Sequence, residues 1–538
     1  MSVLTVGSYE KVLIGKKPKT EKRGTMAKNE VYSFQVAYMF EWHFSDIEVR
    51  IESPIKDFIT YRQVEYVNAL TPNFTRGDDY AISDKPFMCP DVLRPCKNGR
   101  VIARHGMYNT LWFTVKGDVP VGKHKIKIGF FIEGKEWGST VYSLEVLDIE
   151  LSHNHLTYTN WFHYDSIANY YNVPVFSKRY NEIMDKYIEC AVNHGVNMLL
   201  IPMFTPPLDT RIGRERLTVQ LIDVYQNKGE YSFDFTRLID FMRRVESLGI
   251  KYFEMSHLFT QWGAHHAPKI MGVKDGKRVR LFGWETDGNG EEYKEFLSRL
   301  LPELSRALKA EGLFERCRFH ISDEPNEKCL DNYKSAKEIF KKYLPDGIIT
   351  DALSHYDFYS QGLVDRAICA TDASKPFLEN NVPDLWVYYC CAQSQANYSN
   401  RFMAFPGMRN RVIGMQMYLN NVKGFLHWGY NFYNCVLSDW PIDPYVTNDG
   451  CGGYQSGDPF VVYPGDGEPY DSVRHENFYD GLQDYRLFMA LEEKVGRAKA
   501  EALLLENGFE KDFVTYPHGA KELLSIREKA QRMLLETK

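Results

Sequence analysis

The chain is predicted to be an α/β protein: a (β/α)8 TIM barrel, preceded by an N-terminal β-sandwich and followed by a small, mostly helical C-terminal region. Three observations predict it. Residues 1–150 carry period-two alternation without an amphipathic helix. From residue 156 onward, strand-like and helix-like runs alternate, giving eight strand candidates over about 285 residues, where a barrel typically takes roughly 250. Beyond residue 461 the periodic segments are helical. The expected boundaries are therefore 1–150 for the sandwich, 151–460 for the barrel and 461–538 for the helical end.

In the first region Ile47, Val49 and Ile51 alternate with polar residues, as do Ile126 and Ile128, and Tyr142, Leu144 and Val146. Gly, Pro and Asp turns separate these short strands, which is the pattern of a sandwich. The proline-rich stretch 88–95 is expected to be an irregular loop.

The eight barrel strands are expected at 156–162, 196–203, 250–257, 319–321, 347–353, 366–370, 385–391 and 424–428. Helices are expected between them. In 176–194, Tyr180, Ile183, Met184, Tyr187 and Ala191 share a face and Gly195 ends the run. Further helices are expected at 235–248, 291–308 and 330–343. A Gly/Pro-rich loop at 463–467 leads to three more, at 474–493, 496–507 and 520–536. A doubly wound sheet is the alternative, but no Gly-x-Gly-x-x-Gly follows any strand, so no dinucleotide cofactor is expected.

The chain has 538 residues, 44% hydrophobic and 25% charged, which is enough apolar content for a large core. Net charge is −6 and no basic stripe is present, which sets nucleic acid aside. No apolar run approaches the roughly 18 residues of a membrane span. The 10 cysteines show no zinc-type spacing, and the N-terminus has no signal-peptide pattern, so a reducing, cytoplasmic setting is expected. The glycosylation-like triplets at Asn73 and Asn397 are read as chance matches.

In a barrel, chemistry comes from the C-terminal ends of the strands. Those ends supply Asn160, Trp161, His163 and Asp165 after the first strand. The third and its loop supply His257, Gln261, Trp262, His265 and His266. The fourth supplies Asp323 and Glu324, and the fifth Asp351 and His355. The seventh supplies Tyr388 and Tyr389, and the eighth Trp428 and Tyr430. Carboxylates, imidazoles and aromatic rings at one mouth suit a carbohydrate, whose apolar faces stack on rings while its hydroxyls bond to polar groups. Adjacent His265 and His266 are a poor match to a tetrahedral metal, so no metal is expected.

A retaining glycosidase ordinarily needs a second carboxylate roughly 5 Å away, and an inverting one a more distant partner. The seventh strand, Trp386-Val387-Tyr388-Tyr389-Cys390-Cys391, ends without one. The neighbouring Asp323 and Glu324 fit a substrate-assisted scheme instead, in which the sugar's own 2-acetamido oxygen attacks C1. Two adjacent acids resist ionising together, which keeps one protonated near neutrality. Glu324 suits the general acid and Asp323 the partner of the acetamido nitrogen. Alternatives are a glycosidase without acetamido participation, with Asp439 or Asp165 as second carboxylate, and a non-catalytic carbohydrate-binding protein.

Several stretches together resemble glycoside hydrolase family 123. They are Ser322-Asp323-Glu324-Pro325, Phe259-Thr260-Gln261-Trp262-Gly263-Ala264, Phe282-Gly283-Trp284-Glu285, Asp471-Ser472-Val473-Arg474 and Asp480-Gly481-Leu482-Gln483-Asp484-Tyr485. The resemblance implies a sandwich on a (β/α)8 barrel. It also implies β-N-acetylgalactosaminidase-like activity with retention through an oxazoline, Asp323 and Glu324 being the pair. A tyrosine that holds the acetamido carbonyl is implied too, for which Tyr388, Tyr389 and Tyr430 are candidates.

Overall fold

The computed structural model describes residues 1–72, 78 and 80–536; the triplet at Asn73 lies outside them. The N-terminal region is β-rich. One five-stranded sheet runs in the order Ser2–Gly7, Tyr32–Met39, Asn109–Val115, Ile59–Ala69, Phe87–Pro95. The other runs Arg23–Ala27, Lys135–Leu147, Gly122–Ile132, Phe44–Glu52, Arg100–Ala103. The alternating Ile47, Val49, Ile126, Ile128, Tyr142, Leu144 and Val146 share one core with Phe34, Val36, Leu111 and Phe113 from the facing sheet.

The stretch expected as a loop at 88–95 is a strand, Phe87–Pro95. It sits at a sheet edge and pairs only with Ile59–Ala69 inside that sheet. A proline costs no ladder bond where its nitrogen faces away from the partner strand, so an edge accommodates Pro90 and Pro95. The open side of this strand leans on the barrel region: Val92 bridges to Ser472.

Eight further strands form one parallel sheet. They are β1 Thr157–Asn160, β2 Met198–Ile201, β3 Tyr252–Met255, β4 Cys317–Phe319, β5 Thr350–Leu353, β6 Arg366–Ala370, β7 Trp386–Tyr388 and β8 Gly424–His427. Their spatial order is β4-β3-β2-β1-β8-β7-β6-β5. A parallel bridge from Phe319 to Ile349 joins the two ends, so the sheet nearly closes into a TIM-like barrel. All eight expected strands exist; six are shorter than their apolar runs, β6 has the expected bounds, and β4 starts and ends two residues early.

Side-chain alternation along these strands builds two cores. Met198, Leu200, Ile368, Ala370, Trp386, Tyr388 and Leu426 fill the barrel. Leu199, Ile201, Phe253, Met255, Val387, Tyr389 and Phe425 face the helices.

The helices are α1 Tyr164–Tyr171, α2 Lys178–Asn193, α3 Thr236–Ser247, α4 Glu291–Ala310, α5 Leu330–Tyr343, α6 Asp357–Ser360, α7 Lys375–Glu379, α8 Gly407–Arg411, α9 Ile413–Leu419, α10 Val473–Val495, α11 Arg497–Leu505 and α12 Ala520–Glu536. Ser177 caps α2 by accepting from Tyr180 N at 3.2 Å. After β5 and β6 the helix shrinks to about one turn. Two hairpins extend the loops after β2 and β3: Asp223–Asn227 with Glu230–Asp234, and Ile270–Lys274 with Lys277–Phe282. They pair into a small four-stranded sheet that periodicity had not indicated. Among the described residues no helix is long and apolar enough to cross a membrane.

The β-rich region is tied to α10 by a buried ion pair. Arg474 Nε donates to both carboxylate oxygens of Asp91 at 3.0 Å, Nη2 donates to Asp91 Oδ2 at 2.9 Å, and Nη1 donates to the carbonyls of Gly457 and Phe460. Removing one partner of such a pair strands a buried charge, at a cost of about 3–5 kcal/mol. Asp91→Ala is therefore expected to shift the urea unfolding midpoint strongly downward. An unchanged midpoint would show that the pair does not hold the two regions together.

Candidate active site

A cavity of roughly 150 Å³ opens where the barrel strands end. Asp323 and Glu324 enter it from the turn after β4. Gln261 and Trp262 come from the turn after β3, Leu208 and Asp209 from β2, Trp161 from β1, Tyr388 from the end of β7, and Trp428 from β8. Ala352, Cys390, Cys391, Leu426 and Tyr454 complete the wall.

Two turns are stitched to each other at the mouth. Ser322 Oγ donates to the Thr260 carbonyl at 2.8 Å and accepts from the amides of Gly263 and Ala264. Trp262 N donates to the Asp323 carbonyl at 2.8 Å. The backbone is strained here: Trp262, Ala264 and Glu324 all have positive φ, of 62°, 59° and 42°. Non-glycine residues hold that conformation only where surrounding bonds impose it, and such places concentrate at functional sites. At Gly263, φ is 134° and a Cβ would sit 2.4 Å from the Cys329 sulfur, so glycine is required.

Beneath the turn lies a buried chain of charges. His320 Nδ1 meets Asp351 Oδ1 at 2.9 Å, and its Nε2 meets Glu254 Oε1 at 2.9 Å. Burial alone would lower the imidazole, but its bonds to the two carboxylates outweigh that and raise it to about 10. Glu254 also accepts from Trp161 Nε1 at 3.2 Å and from the Thr159 hydroxyl. Asp351 accepts from the amides of Ile321 and Ser322 and from the Tyr333 hydroxyl.

Both candidate carboxyls are pushed up. For Asp323 the cause is burial first and then the like charge of Glu324. For Glu324 it is burial, partly offset by the Tyr388 hydroxyl, which donates to Oε1 at 2.7 Å. The pair therefore holds its protons more tightly than ordinary carboxyls do.

Of the residues expected from sequence, Trp161, Asp323, Glu324, Gln261, Trp262, Tyr388 and Trp428 meet at this cavity. Trp262 is 43% exposed and forms its rim. Trp428 Nε1 is held at 3.0 Å by Asp458, whose carboxyl burial raises to about 7.

Asn160, His163, His265, Tyr389 and Tyr430 do not line it. Asn160 is buried and donates to Tyr158. His163 is sealed between the Trp428 carbonyl and Arg216; burial and that guanidinium lower it to about 3. His265 turns toward Cys329 and Asn332. Tyr389 follows Tyr388 and so faces outward to the helix layer, near Asn410. Tyr430 is buried against Phe162 and bonds to the Tyr187 carbonyl. The distant carboxylates are also occupied: Arg216 grips Asp165, and Arg211 pairs with Asp439.

Sequence reasoning passed over Asp209 and Tyr454. Asp209 follows β2 and was findable by the same strand-end logic. Burial raises its carboxyl, while a bond from Tyr454 partly offsets that. Tyr454 arrives from the long loop after β8, and nothing in its local sequence marks it.

The sequence model of the glycoside hydrolase 123 catalytic domain matches residues 161–491, which takes in most of α10. A solved family 123 glycoside hydrolase from Clostridium perfringens, described for glycolipid glycan hydrolysis, is similar over 100% of this chain and 98% of that one, with a TM-score of 0.74 and 14% identity. A Bacteroides ovatus GH5 xyloglucanase covers 89% of this chain and 100% of its own, at 8% identity and a TM-score of only 0.32. No curated protein sequence matches.

A carboxyl raised on folding costs stability as pH climbs from its unfolded value through its folded one, because the folded state must give up a proton it holds more tightly. Asp323→Asn removes that cost. The variant is expected to melt about 1–3 °C above the parent near pH 8, with the gap closing toward pH 4. Calorimetry at both pH values checks this, and a lower melting point at pH 8 would contradict it.

Proposed function

This chain belongs to glycoside hydrolase family 123, and on that premise we propose that it removes a terminal β-linked N-acetylhexosamine, N-acetylgalactosamine first among them, with retention by substrate-assisted catalysis. The observation that carries this reading is the adjacent Asp323–Glu324 pair at the barrel mouth, both carboxyls raised, while Asp165 and Asp439 are taken up by arginines.

In this mechanism the acetamido carbonyl oxygen attacks C1 as the C1–O bond to the leaving group breaks. Glu324 gives its proton to the departing oxygen. The acetamido N–H donates to Asp323, which favours the ionised form of Asp323 and so keeps the shared proton on Glu324. The resulting oxazoline is opened at C1 by a water that Glu324, now a base, deprotonates. Two inversions at C1 give net retention.

Tyr388 is our choice for the acetamido carbonyl, since of the three candidate tyrosines it alone lines the cavity. Trp161, Leu208, Leu426 and Trp428 supply apolar wall for the ring face and acetamido methyl. A glycolipid glycan, the substrate class named for the Clostridium perfringens relative, is one source of such a sugar. We assign catalysis to 151–460, with 1–150 and 461–538 as flanking units. A second reading follows from Asp209, the remaining carboxylate at the cavity, which could partner Glu324 on a sugar without an acetamido group.

Hydrolysis of fluorogenic β-N-acetylgalactosaminide, β-N-acetylglucosaminide and β-galactoside separates these readings. The proposal expects turnover of acetamido sugars only, with kcat falling about 10²–10⁴-fold in Glu324→Gln and in Asp323→Asn. Equal turnover of the galactoside, with collapse in Asp209→Asn, would replace it with the second reading. Tight sugar binding without any turnover would make the protein a lectin-like binder.

A further inference from the structure

A second cluster of reactive side chains lies away from the cavity, where α2, α10 and the β-rich region meet. Cys190 and His194 stand one helical turn apart at the end of α2. Asp471 and His475 have the same spacing at the start of α10. Each offers one donor atom, and the four lie within 4.8 Å of one another. Cys190 Sγ is 3.0 Å from Asp471 Oδ1, His475 Nδ1 is 3.1 Å from it, and His194 Nε2 is 3.7 Å from it. The edges of a tetrahedron with zinc-length bonds are about 3.3–3.8 Å.

The surroundings orient these donors outward from their own supports. His194 Nδ1 is 2.8 Å from the Cys190 carbonyl, which leaves Nε2 for a ligand. Arg62 takes the other oxygen of Asp471 at 2.6 Å, leaving Oδ1 turned into the cluster. The two imidazoles stack at 3.8 Å, and His475, only 1% exposed, turns its Nδ1 to Asp471. A cavity of about 520 Å³ lined by Thr60, Arg62, Cys190, His194, Asp471 and Glu476 provides a route in from solvent.

We propose that Cys190, His194, Asp471 and His475 bind one divalent transition-metal ion of the zinc class, which staples α2 to α10 beside the β-rich region. The donor set of one sulfur, two imidazoles and one carboxylate suits a borderline-soft ion and not Ca²⁺ or Mg²⁺. A thiol binds such an ion as the thiolate, so binding releases the Cys190 proton. None of the four residues lines the cavity at the barrel mouth, so the proposal stands apart from the glycosidase reading.

The test uses the full chain, stripped with a chelator and then titrated with zinc chloride or cobalt chloride. The expected result is one equivalent of zinc per chain and a thiolate-to-cobalt charge-transfer band. Both should be lost or weakened at least about 10-fold in Cys190→Ser and His475→Gln, and kept in Cys451→Ser, which alters an exposed thiol. Should the first two variants fail to fold, alkylation of the unaltered chain reads the same question: zinc is expected to protect Cys190 from iodoacetamide. Equal alkylation with and without zinc, or undiminished zinc binding in Cys190→Ser, would overturn the proposal.

Discussion

A single buried imidazole carries the mouth of the barrel. His320 sits between Glu254 and Asp351 with no solvent contact, so its charge is retained by two carboxylates at hydrogen-bond distance. Breaking such a buried network by removing one member leaves an uncompensated charge, which makes it an all-or-nothing device. Through Glu254 it reaches Thr159 on β1 and Trp161 just beyond, and through Asp351 it reaches β5 and the Tyr333 ring on α5. Asp351 also takes the Ile321 and Ser322 amides, which aims the chain toward Asp323 and Glu324. The direction in which those two carboxyls point follows from where His320 is pinned.

The same network sets the electrostatics above it. The imidazolium of His320 pulls Asp323 downward, but burial and the Glu324 charge outweigh it. The outcome is a pair of carboxyls that both hold protons more tightly than usual, with Tyr388 within reach. The positive φ at Glu324 and the strained Trp262–Ala264 turn belong to the same construction, since Ser322 and the Asp323 carbonyl bind one turn to the other. Stability is given up locally, in strain and in desolvated carboxyls, and recovered in the packed layers and ion pairs around the barrel.

Those outer contacts account for the other stretches that mark the family. In Asp471-Ser472-Val473-Arg474, Arg474 is the buried partner of Asp91, and Ser472 caps α10. In the 480–485 stretch, Asp480 and Asp484 take up Arg411. Phe282 packs on Tyr293 and Phe296, while Trp284 bonds to the Arg214 carbonyl. Motifs that look alike in sequence thus divide into those that shape the cavity and those that hold the scaffold.

Local pattern was enough to read the alternating strands and helices, and the strand ends, with the adjacent acids at 323 and 324, as the place where a cavity opens, because periodicity and short-range sterics act between near neighbours. It was not enough to tell which strand-end residues share a cavity. One residue's shift along a strand turns Tyr388 into the barrel and Tyr389 out of it. Whether a carboxylate is available depends on arginines far away in the chain, as Arg216 decides for Asp165 and Arg211 for Asp439. Edge position, which lets a proline-rich stretch be a strand, and the return of Tyr454 from a distant loop are likewise decided only when the sheet closes. Such pairings join residues distant in sequence, and chain topology selects them, not side-chain propensity.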